Sequence, residues 1–216
     1  MAWQSGWRPP DRLNPWAPIR VAGAPGPFLG FKLRRMEGDR ALCEAALAGS
    51  TLRYRAVEDR RTGEDCGFEN AVRVAGSDLS YGAGFVATCR LAVGLALWET
   101  HVLQPAARAS FGAEVRGIDH FGTYACRNVN NRQTGRRSQH AFANAIDIAG
   151  FRLADGRHVT VLHDWQDAGD DPAANFLAAV HDGACGIFGT VLGPAYNAAH
   201  RNHFHFDMGA FFGLCR

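Results

Sequence analysis

No stretch of this chain is apolar for long enough to form a transmembrane helix. Residues Met1 to Arg20 hold Trp3, Trp7, Trp16 and four prolines instead of the continuous apolar run of a signal peptide. Export would therefore need a signal upstream, one already removed, or another route. No block of Lys or Arg interrupts a formal charge of only +2, and Arg132, Arg136 and Arg137 form a local cluster, so nucleic-acid binding has little support. The six cysteines, at 43, 66, 89, 126, 185 and 215, show no Cys-x-x-Cys spacing, which speaks against a zinc ribbon or a thioredoxin-type motif. Ser138 lies in no Gly-x-Ser-x-Gly elbow, which weakens a serine hydrolase built on Ser138, His140 and Asp147.

What is present suffices for one globular domain: 216 residues, 47% of them hydrophobic, can bury a substantial core. Residues 1–37, rich in Pro, Gly and Trp, read as an extended arm or linker, and 38–216 as the domain. An even, dispersed set of cysteines favours disulfides and an oxidising compartment, the periplasm or cell exterior; six buried thiols in a cytosolic protein are the alternative. Of the many pairings, we expect Cys43–Cys215, Cys66–Cys89 and Cys126–Cys185.

The periodicity predicts a short helix from Gly38 to Gly49, strands over Leu52–Val57 and Val72–Val74, and a long helix from Val86 to about Leu103 that stops at Pro105. It also predicts a strand over Val115–His120, a hairpin turning at Asp155-Gly156, and a helix from Pro172 capped by Asp170 or Asp171. Alone it defines only a mixture of helix and strand.

Two stretches carry chemistry. In Ser138-Gln139-His140-Ala141-Phe142-Ala143-Asn144-Ala145-Ile146-Asp147, a straight helix would separate His140 from Asp147 by roughly 10 Å along its axis, too far for one metal ion. A loop running into a strand fits better, with Ile146 and Ile148 facing the core and Asp147 facing away. In His203-Phe204-His205-Phe206-Asp207 the same period of two puts Phe204, Phe206 and Met208 on one face and His203, His205 and Asp207 on the other. A His-x-His pair on a strand is, by itself, equally an ordinary buried or surface pair.

The combination Ser-x-His-x6-Asp with His-x-His resembles the signature of the LAS group of zinc peptidases, whose fold is shared by the Hedgehog signalling domain. One branch resembles the chain more closely, the bacterial extensin-like C-terminal domain family, from about Tyr54 to Asp207. The landmarks are Val72-Arg73-Val74, Gln104-Pro105-Ala106-Ala107-Arg108, Tyr124-Ala125-Cys126-Arg127-Asn128, Ala141 to Asp147, Asp155-Gly156-Arg157 and Asn197-Ala198-Ala199-His200. The chain has no Ser-Pro repeats and is not an extensin rod.

The resemblance implies an α+β fold in which a small antiparallel sheet carries the metal site and helices pack on its other face, as in Hedgehog and the D-Ala-D-Ala peptidases. It implies Zn2+ held by His140, Asp147 and His205, with His203 beside a metal-activated water and Arg127 on the carbonyl under attack. Arg127 could equally be a surface residue pairing with Asp119. Asp207 is expected to orient a histidine and His200 is a further base candidate, while substrate carboxylates would suit Arg127, Arg136 or Arg137 and Ser138 would hydrogen-bond a substrate end or a ligand.

The implied activity is that of a monomeric peptidoglycan peptidase, an endopeptidase on stem-peptide cross-links of D,D or L,D type. Two departures stand out. Cys126 intervenes in the Ser-Gly-Tyr-Arg-like segment, and Asn202 occupies the place where several LAS enzymes carry a carboxylate base. Asn202 motivates the alternative, a non-catalytic module that binds peptidoglycan or a partner on the same zinc fold.

Overall fold

The computed structural model describes residues 9–166, 169–209 and 213–216. In chain order its elements are α1 (Leu29–Arg35), α2 (Arg40–Leu47), β1 (Arg53–Ala56), β2 (Arg60–Gly63), β3 (Cys66–Phe68), β4 (Ala71–Gly76), β5 (Phe85–Thr88), α3 (Cys89–Trp98), α4 (Gln104–Phe111) and β6 (Val115–Gly122). There follow β7 (Ala145–Leu153), β8 (His158–Thr160), α5 (Val161–Asp164), α6 (Pro172–Ala184), β9 (Thr190–Leu192), β10 (Phe204–Asp207) and β11 (Leu214–Cys215). The fold is mixed α+β.

The principal sheet runs β11-β9-β10-β7-β6, with β8 also on β7, and only the β11–β9 pair is parallel. A second sheet, β1-β4-β5, and the hairpin β2–β3 complete the strands among the described residues. The helices cover one face of the principal sheet. Helix α3, whose ten residues are all buried, brings Trp98 against Phe206 of β10 and Phe151 of β7, and α6 brings Phe176 against Phe151. Gly94 permits the crossing, because a Cβ there would sit 2.1 Å from the Met208 side chain.

Three register shifts between β6 and β7 set which side chains face which way. Asp119 and His120 of β6 oppose Gly150 and Ile148 of β7, so β7 carries one extra residue, Ala149. That shift lets Phe151 and Leu153 return to the core face already taken by Ile146 and Ile148. On β6 the extra residues are Arg116, between the partners of Leu153 and Arg152, and Phe121, between the partners of Ile148 and Asp147, and Phe121 projects from the sheet 61% exposed.

Several expectations need correcting. The long helix does not begin at Val86, which lies in β5, and does not end at Pro105. Thr88 caps α3 by accepting from the Leu91 amide, and a π-helical segment, Glu99–Leu103, leads straight into α4. Pro105 stands in the first turn of α4, where its missing N–H is least costly.

The stretch expected as an extended arm contains α1 and sinks Ile19, Val21, Leu29, Leu33 and Met36 into the core. Trp3 and Trp7 lie outside the described residues. All six cysteines are disulfide-bonded, but as Cys43–Cys89, Cys66–Cys126 and Cys185–Cys215. The expected pairs Cys43–Cys215, Cys66–Cys89 and Cys126–Cys185 fail because packing brings other partners within reach. Helix α2 lies on α3, the β2–β3 hairpin lies beside Cys126, and the end of α6 meets β11. Strand β2 is exposed along its whole length. A two-stranded hairpin of that kind is marginal in water, so the Cys66–Cys126 tether holds it in place.

Glu99 is buried in the π-helical segment, where Ser77 Oγ donates to Oε2 at 2.7 Å and the Tyr81 hydroxyl donates to Oε1. Burial raises its pKa to about 7, against the lowering effect of those two hydrogen bonds. A carboxyl raised on folding contributes stability that is fully present below the ordinary carboxylate pKa and is lost as pH rises through the raised value. Glu99→Gln, which keeps an acceptor and cannot ionise, should melt less steeply with pH than wild type between pH 5 and pH 8. The difference should be on the order of 3 kcal/mol, or several degrees in Tm. Equal pH slopes in thermal melts of the two proteins would show that Glu99 does not titrate in this range.

Candidate metal centre

His140 sits in a short 3-10 turn, Gln139–Phe142, whose start is capped by Ser138 Oγ accepting from the His140 amide at 3.3 Å. The turn closes through Ala143, held in the left-handed region at φ 52°, and the chain then enters β7. This reversal takes the place of the straight helix that would have kept His140 from Asp147. Asp147 on β7 and His205 on β10 are direct cross-strand partners, so their side chains share the face opposite the aromatic core.

Three atoms converge there. His140 Nε2 lies 3.2 Å from Asp147 Oδ1, His205 Nδ1 lies 2.9 Å from the same oxygen, and the two nitrogens are 3.2 Å apart. The remaining nitrogen of each ring is already committed. His140 Nδ1 donates to the Thr123 carbonyl at 3.3 Å, and His205 Nε2 donates to Asp207 Oδ2 at 3.0 Å. With those nitrogens committed, the other nitrogen of each ring faces a carboxylate oxygen, an arrangement that calls for a proton or a cation between them. A metal ion with bonds of about 2.0–2.1 Å would hold tetrahedral ligands about 3.3 Å apart, and the three contacts approach that spacing.

The same electrostatics appear in the ionisation of these groups. Burial would raise the Asp147 carboxyl, but hydrogen bonds with His140 and His205 hold it far below the ordinary carboxylate range. Burial would lower His205, yet the Asp147 and Asp207 carboxylates push it up to about 9. A site that binds a proton so firmly is one of strong negative potential, where a cation can replace the proton.

Around the three ligands, His203 Nε2 lies 3.7 Å from Asp147 Oδ1, while its Nδ1 donates to Asn202 Oδ1 at 2.9 Å. Burial lowers the His203 pKa and holds the ring neutral, with the charges of His205, His140 and Arg127 acting in the same direction against Asp147. His200 is lowered to about 4, chiefly by burial and then by His203 and His205. Its Nδ1 meets Asn197 Oδ1 at 2.8 Å, and its ring lies against those of His203 and Tyr196. Asp207 is fixed at its other oxygen by the Gly209 amide, 2.7 Å away.

The expected contact residues divide. Arg127 is half-buried and, among the described residues, its side chain has no hydrogen-bond or ion-pair partner. Asp119, its alternative partner, is taken by Arg152 and by His158 at 2.7 Å. Cys126 departs from the shorter motif because it anchors this segment to the β2–β3 hairpin, and the Tyr124 hydroxyl bonds Thr62 of the same hairpin. Arg136 is exposed, whereas Arg137 spends its guanidinium on Asn128 Oδ1 at 3.0 Å and the Glu64 carbonyl at 2.8 Å. Ser138 is buried and serves as the turn's cap, a position unsuited to a nucleophile.

Sequence reasoning missed Thr123, whose carbonyl sets the His140 tautomer, because a backbone acceptor leaves no residue signature. It also missed Phe121, whose bulged ring stands 5.6 Å from that of His203, and Tyr196, beside His200. A second group, His181 with Cys185 and Cys215, also brings possible ligand atoms together, but its two sulfurs are joined to each other. A groove of roughly 860 Å³ behind the 3-10 turn, lined by Gln139, Phe142 and Arg90, does not include the three converging ligands.

No curated protein and no solved structure matches the chain. The family described as extensin-like protein C-terminus matches residues 41–216, a span that takes in the converging ligands, all three disulfides and, among the described residues, every strand, and the chain belongs to that family.

Proposed function

We propose that the protein is a zinc-dependent peptidoglycan peptidase of the LAS type, an endopeptidase acting as a monomer on stem-peptide cross-links in the periplasm or outside the cell. The observation that carries this reading is the convergence of three ligand atoms from His140, Asp147 and His205 on one face of the sheet. Two imidazoles and a carboxylate, with the distal nitrogens held by a carbonyl and a second carboxylate, are a donor set that suits zinc and leaves a position open. Zinc bound there would supply Lewis acidity, bringing a water toward a pKa of about 7 and polarising the scissile carbonyl.

The chain's own residues perform the proton transfers. His203 is neutral, and with Nδ1 donating to Asn202 its Nε2 is free to accept a proton. It takes one from water as the oxygen adds to the carbonyl carbon, and returns one to the leaving amine as the C–N bond breaks. Asn202 thereby replaces the missing carboxylate base in a different role, by fixing the tautomer of the histidine that acts. This favours the enzyme over a non-catalytic module. Arg127, on the same rim and without a partner, offers its guanidinium to the carbonyl oxygen. Three disulfides and the lack, among the described residues, of any helix long and apolar enough to span a bilayer support the compartment.

Purified wild-type protein should carry one zinc and release new muropeptides from peptidoglycan, as read by metal analysis and mass spectrometry, and His205→Ala should lose both. Zinc retained by wild type with no cleavage of peptidoglycan would sink the peptidase reading. His203→Ala should keep its zinc and lose about 10²–10⁴-fold in kcat, with Asn202→Ala intermediate. An unchanged rate in His203→Ala would remove the assigned base. Asp207→Ala should weaken zinc binding about 10–100-fold in a competitive chelator titration, and unaltered affinity would deny Asp207 its orienting role.

A further inference from the structure

The segment that precedes the family-matched region has a charge and a surface of its own. Residues 1–40 hold seven Lys/Arg against three Asp/Glu, a net +4, whereas 41–216 hold sixteen against eighteen, a net −2. Within that segment, one side is committed to the protein. Ile19, Val21, Leu29, Leu33 and Met36 join the core, the Val21 carbonyl meets His101 Nε2 at 2.7 Å, the Asp11 carbonyl accepts from Lys32 Nζ at 2.6 Å, and Glu37 pairs with Arg90 at 3.0 Å.

The other side displays large apolar groups to solvent: Leu13, Trp16, Phe28 and Phe31, with Trp16 68% exposed. They are ordered. The Trp16 and Phe31 rings meet edge to face at 5.4 Å, with Phe31 in the first turn of α1 and Phe28 at its N-cap. Arg35 stacks 5.2 Å over the Trp16 ring and donates to the Trp16 carbonyl at 3.2 Å. Arg12 and Arg20 are exposed on the same arm, Arg20 in a solvent-exposed pair with Asp11.

We infer that this face docks onto an anionic lipid bilayer. Exposed aromatic rings set among arginines match the boundary of a bilayer, where rings enter the apolar edge of the headgroup layer and cations meet lipid phosphates. A soluble polyanion would satisfy the arginines but would leave Leu13, Phe28 and Phe31 in water, and the aliphatic Leu13 offers nothing to stack on a base. Because the platform is already fixed to α3 and to the core, the rings need not be ordered on binding.

The test uses the full chain in co-sedimentation with vesicles of phosphatidylcholine alone and of phosphatidylcholine mixed with phosphatidylglycerol. The expected result is binding to the anionic vesicles only, weakened by salt and reduced about tenfold or more in Trp16→Ser/Phe31→Ser. Trp16→Phe with Phe31→Leu, which keeps apolar bulk, should retain most of the binding and thereby separates loss of the face from loss of the fold. Equal binding to both kinds of vesicle, binding that the serine pair leaves unchanged, or capture by heparin with none by vesicles would each overturn the inference. Peptidoglycan cleavage has no part in the readout, so the two proposals fail independently.

Discussion

Three ligand atoms within about 3 Å of one another, each presenting a lone pair, repel unless a cation or a proton lies among them. The surrounding structure exists to hold them there. The left-handed Ala143 brings the 3-10 turn back onto β7, and the pairing of β7 with β10 sets Asp147 opposite His205. The Thr123 carbonyl and Asp207 then remove the only other tautomers open to the two rings. The aromatic layer of Trp98, Phe151 and Phe206 makes the opposite face of the sheet too well packed to yield.

The rim depends on distant tethers. The Cys66–Cys126 bridge and the Thr62–Tyr124 contact fix the hairpin to the segment that ends at Arg127, and Arg137 closes the same loop onto the Glu64 carbonyl. The bulge at Phe121 places an aromatic ring beside His203 without shifting the strand that carries Asp147. In the proposed peptidase these tethers keep the carbonyl-facing arginine and the proton-accepting histidine at a fixed separation from the metal ligands, as preorganisation requires.

The site was legible in the sequence because its two strands alternate faces with a period of two, and burial of Phe204 and Phe206 forces His203 and His205 to the other side. His140 was harder, since its place depends on Ala143 adopting a backbone conformation for which alanine carries no signal. Disulfide partners were not legible at all. Cys89 could be assigned to Cys43 only once α2 was known to lie on α3, a tertiary fact. Pro105 misled for a related reason: a proline ends a helix in its interior but is tolerated in a first turn, and the π-helical segment before it created one. The apolar positions of α1 were hidden among Pro and Gly, so an anchored platform read as a linker.

The central claim is that a metal ion binds where His140, Asp147 and His205 converge. The most direct measurement is X-ray absorption at the zinc edge on the zinc-loaded full chain. A first shell of nitrogen and oxygen alone at about 2.0–2.1 Å, with the outer-shell scattering of two imidazoles, is the expected result. A first shell that lacks the scattering of two imidazoles, or one that is unchanged in His140→Ala/His205→Ala, would contradict it and move the metal elsewhere.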